Sequence, residues 1–118
     1  MSRQKFTGGD GEARTADYLA QRGYTLIARN YHSRWGEIDL IAENGTYLAF
    51  VEVKTRRDSG FSAPREAVTP AKQRKLRMTA LCYLRNCPTD LQPRFDVAEV
   101  FLAPDGRGSI EYFENAFE

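Results

Sequence analysis

Alternating and periodic apolar positions divide the chain into seven elements. Residues 10–22 carry Ala13, Ala16, Leu19 and Ala20 at helical spacing, with Asp10 placed to cap and Gly23 to stop the helix. Tyr24 to Tyr31 reads as a strand. Two further apolar runs, 36–43 and 46–54, flank Asn44-Gly45, a dipeptide that favours a two-residue hairpin loop with positive φ at both positions. Thr69-Pro70 supplies a cap and a first-turn proline for a second helix, with Leu76, Ala80, Tyr83, Leu84 and Cys87 as its buried stripe. Arg94 to Leu102 is another strand, Pro104-Asp105-Gly106 a turn, and Ser109 to Phe113 the last strand. The order α-β-β-β-α-β-β predicts an α/β fold, a mixed sheet of about five strands flanked by helices. The helical crossover from 54 to 94 predicts that the strand after it runs parallel to an earlier one.

The hairpin breaks its own apolar pattern. Gly36-Glu37-Ile38-Asp39-Leu40-Ile41 and Phe50-Val51-Glu52-Val53-Lys54 carry charges inside runs that otherwise suit a buried strand. Buried unpaired charge costs several kcal/mol, so such groups need partners, and clustered carboxylates usually find a cation. With Asn44-Gly45 as the loop, Ile41 faces Leu48, Asp39 faces Phe50 and Glu37 faces Glu52. Glu37, Asp39, Glu52 and Lys54 then share one face, with Asp39 diagonal to Glu52 at roughly 7–8 Å. A slip of one residue would turn Asp39 away from Glu52. Plain alternation on a solvent-facing strand would also place charges this way, with Ile38, Leu40, Val51 and Val53 as the core side. Against that reading, Ile41, Leu48 and Phe50 make the acidic face partly apolar. Opposed like charges also need something positive between them.

The 118 residues are enough for one domain with one core, and their composition is that of a soluble globular protein. No apolar run approaches the ~20 residues of a membrane span, and Met1-Ser2-Arg3-Gln4-Lys5 lacks the apolar segment of a signal peptide. A cytoplasmic location is expected. Cys82 and Cys87, five apart on a helix, read as reduced small core residues, and His32 as a structural or surface residue. The net charge is only +1, but residues 54–89 hold nine Lys/Arg against two Asp/Glu. This positive segment starts at Lys54, directly downstream of the acids, and suits a polyanionic substrate whose phosphate is brought to a metal. A solvated helix face with a charged loop is the plainer explanation of the charge run alone. Glu12 lies on or beside the inward stripe of the first helix, where it could equally complement the helix dipole.

An acid on one strand followed by Glu-x-Lys on the next resembles the PD-(D/E)xK core of the restriction-endonuclease-like fold. Asp39 matches the first acid and Glu52-Val53-Lys54 the second element. Gly11-Glu12 with Ala16 and Tyr18-Leu19, Asn30, the two hairpin strands and Arg94-Phe95-Asp96-Val97 together resemble the YraN family, small bacterial proteins similar to archaeal Holliday-junction resolvases. The resemblance spans Gly8 to about Leu102 and implies a metal-dependent phosphodiesterase site. In it Asp39, Glu52 and the Val53 carbonyl would ligate Mg²⁺ or Mn²⁺, with Glu12 completing the acidic group from the first helix. Lys54 would orient or deprotonate the attacking water, or stabilise charge on the phosphate. Gln73 stands where some members of the fold place a helical glutamine near the site. A related pattern has a tyrosine four residues after that glutamine, where this chain has Arg77.

The chemistry agrees with these roles: hard oxygen ligands suit Mg²⁺, which needs only one or two protein carboxylates plus the substrate phosphate. The expected function is a divalent-metal-dependent nuclease acting on DNA, branched or single-stranded. The alternative is a nucleic-acid-binding or adaptor protein that keeps the nuclease fold and cuts little or nothing. Arg56, Arg57, Arg65, Lys72, Gln73 and Lys75 are the candidate nucleic-acid contacts. The 55–68 loop, with Gly60, Phe61 and Pro64, is expected to order on nucleic acid as Arg56 and Arg57 grip its backbone. Such contacts position a substrate without reading bases. Resolvases are dimers, so a homodimer is a further arrangement to test.

Overall fold

The computed structural model describes residues 8–57 and 68–118. Its elements are α1 (Gly8–Gln21), β1 (Thr25–Ser33), β2 (Gly36–Glu43), β3 (Tyr47–Arg57), α2 (Pro70–Asn86), β4 (Gln92–Leu102) and β5 (Gly108–Phe117). The strands form one sheet in the order β1-β2-β3-β4-β5. Every neighbouring pair is antiparallel except β3 and β4, which run parallel as the α2 crossover requires. The α-β-β-β-α-β-β order and the mixed sheet are those of the expected α/β fold.

The central strands are buried on both faces, so their sequences read as apolar runs rather than strict alternation. Under α2, Ile41, Leu48, Phe50 and Val97 pack with Leu76 and Ala80. On the opposite side, Leu40, Ala42, Ala49, Val51 and Ala98 pack with Leu19 of α1. Ile38 departs from the parity of its strand, joining Ile41 rather than Leu40. Between Ile38 and Leu40 lies Asp39, and β1 is distorted at the same level. Its pairs Arg29–Leu40 and Tyr31–Ile38 skip Asn30, whose φ of 52° is left-handed.

Several boundaries and faces differ from the sequence expectation. Helix α1 starts at Gly8, so Asp10 does not cap it; Asp10 instead sits in the first turn and pairs with Arg14 Nε at 3.2 Å. The buried stripe of α1 is Gly11, Thr15 and Leu19, with Ala13 and Ala20 exposed. Glycine at position 11 explains this rotation: a Cβ there would stand 2.1 Å from Thr55 Oγ1, so α1 packs closely on the Thr55 and Val53 side chains of β3. The helix ends as expected at Gly23, where the Gly23 and Tyr24 amides donate to the carbonyls of Ala20 and Leu19 at 3.1 and 3.0 Å.

Thr55, Arg56 and Arg57 belong to β3 rather than to a loop, because the parallel ladder continues opposite Val100, Phe101 and Leu102. The rest of the expected loop, with Gly60, Phe61, Pro64 and Arg65, lies outside the described residues. Thr69 caps α2 as read from the sequence, its hydroxyl accepting from the Lys72 amide at 3.1 Å, with Pro70 at the first helical position. Cys87, expected on the buried stripe, is exposed at the C-cap. Pro88 follows it, and the residue before a proline avoids the helical region. Cys82 is half-buried.

Candidate active site

The hairpin register is set by the turn. Asn44 keeps its side chain inside the loop, where Oδ1 accepts from the amides of Thr46 at 3.0 Å and Tyr47 at 2.8 Å. Gly45 alone of the central residues has a positive φ, 93°. The two-residue loop is therefore Gly45-Thr46, and the pairs are Glu43–Leu48, Ala42–Ala49, Ile41–Phe50 and Leu40–Val51. This corrects the expected pairing by two residues, which keeps Asp39, Ile41, Leu48, Phe50 and Glu52 on their expected side, while Ile38 alone changes face. Glu37 does not oppose Glu52. The ladder ends at Leu40–Val51, and one step beyond it the Val53 amide donates to Asp39 Oδ2 at 2.8 Å.

Three further carboxylates act on Asp39 here. Burial, followed by the fields of Glu52, Glu12 and Glu37, raises the Asp39 pKa to about 7, against the lowering effect of the Val53 hydrogen bond. Glu12 reaches the site from α1 with its side chain 13% exposed. Asn30 Nδ2 donates to its Oε1 at 3.2 Å, and Arg29 Nη2 lies 3.5 Å from the same oxygen. The left-handed turn at Asn30 thus aims an amide at α1 from a strand position. Glu52, 12% exposed, pairs with Lys72 Nζ of α2 at 3.1 Å. Glu37 is half-exposed, 4.0 Å from His32 on the surface.

A cleft of about 250 Å³ opens between β2, β3 and α2. Asp39, Glu52, Lys72 and Lys75 line it, together with Trp35, Gly36, Glu37 and Leu76. Two acids from the sheet and two lysines from α2, all expected from the sequence, therefore line one cleft. Glu12, Val53 and Lys54 stand outside that lining. Lys54 follows Glu52 by two on β3, is half-buried, and pairs in register with Glu99 of β4. Among the described residues no three Asp, Glu, His or Cys side chains form a ready metal cluster. The donor chemistry of Asp39 and Glu52 fits a hard divalent cation nonetheless. Both are carboxylates, they repel each other, and one is desolvated enough to hold its proton near neutrality.

The other candidate contacts are spread out. Gln73 is turned inward, its Nε2 donating to the Val68 carbonyl at 2.9 Å. Arg56 lies 3.7 Å from buried Glu99. Arg57 closes β3, and Arg65 and the side chain of Arg57 are outside the described residues.

A second buried carboxylate shows the opposite design. Asp96 accepts Arg94 Nε at 2.9 Å and Nη2 at 2.8 Å, the Tyr112 hydroxyl at 2.6 Å and the Asn115 amide at 2.9 Å. All four are donated to the carboxylate, and those from Tyr112 and Asn115 tie β4 to β5. The Tyr112 hydroxyl is pushed above its usual pKa by burial and the neighbouring Asp96. Sequence reasoning assigned this hub no role, although Arg94 and Asp96 two apart on a strand place opposite charges side by side. Trp35 at the cleft rim carried no sequence signal.

Fold and site define a class: a small α/β protein with a mixed five-stranded sheet and a carboxylate–lysine cleft against its second helix. Residues 11–100 match the uncharacterised protein family UPF0102, and the chain belongs to that family. A UPF0102 protein of Symbiobacterium thermophilum is 50% identical over 99% of this chain and 98% of its own length. Another from Pelobacter propionicus is 46% identical over 95% of this chain and 82% of its own. One from Rhodococcus opacus is 42% identical over 99% and 100%. The resemblance to the YraN family read from the hairpin and helix motifs holds across the chain.

Proposed function

We propose that the chain is a divalent-metal-dependent nuclease hydrolysing phosphodiester bonds in DNA, with preference for branched or single-stranded structures. The observation that supports this reading best is the meeting of Asp39 and Glu52 with Lys72 and Lys75 in one cleft. Asp39, Glu52 and the Val53 carbonyl would hold Mg²⁺ or Mn²⁺. Bound there, the ion would supply a water of lowered pKa and stabilise charge on the phosphate. Glu12, clamped by Asn30 and Arg29, adds negative charge behind Asp39. Lys72 would release Glu52 and, with Lys75, hold the incoming phosphate. Lys54 would orient or deprotonate the attacking water. Labelled duplex, single-stranded and four-way-junction DNA, incubated with Mg²⁺ or Mn²⁺, tests the reading. Cleavage lost in Glu52→Ala and Lys54→Ala supports it; cleavage of no substrate, or cleavage by both variants equal to that of the wild type, rejects it.

A second reading is favoured by the Lys72–Glu52 ion pair at 3.1 Å, which satisfies that carboxylate without a metal. In it the chain binds nucleic acid or serves as an adaptor and does not cut. DNA binding would then be salt-sensitive, independent of metal and unaffected by Asp39→Asn.

A further inference from the structure

Trp35 is the chain's one tryptophan, and its side chain is 39% exposed at the tip of the β1–β2 turn. It stands on the boundary of two concavities. One is the carboxylate cleft. The other, about 770 Å³, is a mostly apolar groove along α2 lined by Arg34, Trp35, Met78, Leu81, Leu84 and Arg85, among others. Met78 and Leu81 are 37% and 59% exposed, unusual for large apolar side chains on a helix that also packs a core.

The turn that carries Trp35 is tied to α2. The Trp35 amide donates to Ser33 Oγ at 2.9 Å, and Ser33 Oγ hydrogen-bonds Thr79 Oγ1 of α2 at 2.8 Å. The Arg34 guanidinium lies 5.1 Å from the indole centroid. A half-exposed indole beside an arginine is a surface on which a flat, π-rich ligand stacks. The surroundings select among such ligands. Arg34 and Arg85 flank the groove, and Lys72 and Lys75 line the adjoining cleft. Planar rings for the indole and negative charge for the flanking cations are the complementary chemistry.

Resting on the nuclease reading, we infer that Trp35 stacks an unpaired nucleobase next to the phosphate held in the carboxylate cleft. A strand crossing Trp35 lays one base on the indole and α2 groove and its neighbouring phosphate against Lys72 and Lys75. Bases paired within an intact duplex do not offer a free face, so the same contact favours single-stranded or splayed DNA without reading sequence.

The sole tryptophan is its own probe. In EDTA, oligothymidylate should quench Trp35 emission, and blunt duplex at the same occupancy should not. Trp35→Ala should weaken oligothymidylate binding, followed by anisotropy of a labelled strand, by about tenfold or more, and Trp35→Phe should retain most of it. Duplex affinity should stay within about twofold, since phosphate contacts dominate there. Binding with unchanged emission and unchanged Trp35→Ala affinity overturns the stacking role and leaves the nuclease reading standing. Absence of binding to every DNA, both in EDTA and with Ca²⁺ in its place, overturns both. A concentration-dependent dimer that buries the indole and is dispersed by Leu81→Glu also overturns the inference, assigning the groove to a second copy of the chain.

Discussion

The Asp39 carboxylate accepts the Val53 backbone amide at 2.8 Å, one step past the last ladder pair of β2 and β3. A side chain thus performs the work of a strand hydrogen bond at the point where the β2–β3 ladder ends. The price is a carboxylate held among other carboxylates.

That arrangement makes stability depend on pH in a defined direction. Because the folded pKa of Asp39, about 7, lies above its ordinary value of 3.8, the folded chain binds the extra proton. Its contribution is fully present below about pH 4 and is lost as the pH rises to 7, by about 1.4 kcal/mol per unit at most. Asp39→Asn should therefore stabilise the metal-free protein most at pH 7–8 and least near pH 4. Denaturant melts across that range check it; a constant difference would assign Asp39 an ordinary pKa.

Lys72 and a metal would compete for Glu52. Lys72→Ala should tighten Mn²⁺ binding measured by calorimetry, and Glu52→Ala should weaken it. The same Lys72→Ala variant should bind DNA less tightly, with its salt dependence reduced by about one unit of slope. Equal Mn²⁺ affinity in wild type and both variants would remove Glu52 from the ligand set.

Gly11 fixes how closely α1 lies on β3. Gly11→Ala should destabilise the fold by about 1–3 kcal/mol despite alanine's better helix propensity, because its methyl meets Thr55 Oγ1. Adding Thr55→Ala should recover most of that loss, since the hydroxyl is the atom in the way. Urea unfolding of the two variants measures the coupling.

Arg94 neutralises a carboxylate that is 1% exposed. Arg94→Met should cost about 3–5 kcal/mol by leaving Asp96 charged with only neutral donors. Replacing both partners, with Asp96→Asn in the same chain, should cost less than the single change. Thermal melts of the pair of variants provide the comparison.

The sequence made the faces of the hairpin legible and left its register to the turn. Alternation has period two, so Asp39 and Glu52 came out on one side even though the loop sits one residue further on. The Asn44 side chain decided that shift by accepting two amides, a choice that propensity for Asn-Gly does not resolve. The parallel β3–β4 pair followed from the helical crossover alone. The face of α1 did not follow from its alanines, because its contact depends on a missing Cβ meeting Thr55, 44 positions later. The Asp96 hub escaped for a related reason: Tyr112 and Asn115 reach it from β5, and no local pattern announces such a meeting.

The sheet's single parallel pair has a consequence for how the site is put together. Parallel neighbours cannot be joined by a tight turn, so the backbone leaving Glu52 must travel the length of the sheet before re-entering at β4. That obligatory detour is also where the chain stores its excess positive charge. The acids arrive with the local hairpin, and their counter-charges arrive only with long-range closure of the crossover. In the finished fold the crossover sets Lys72 against Glu52, so the topology that keeps β3 and β4 parallel is also what gives the acidic hairpin its counter-charge.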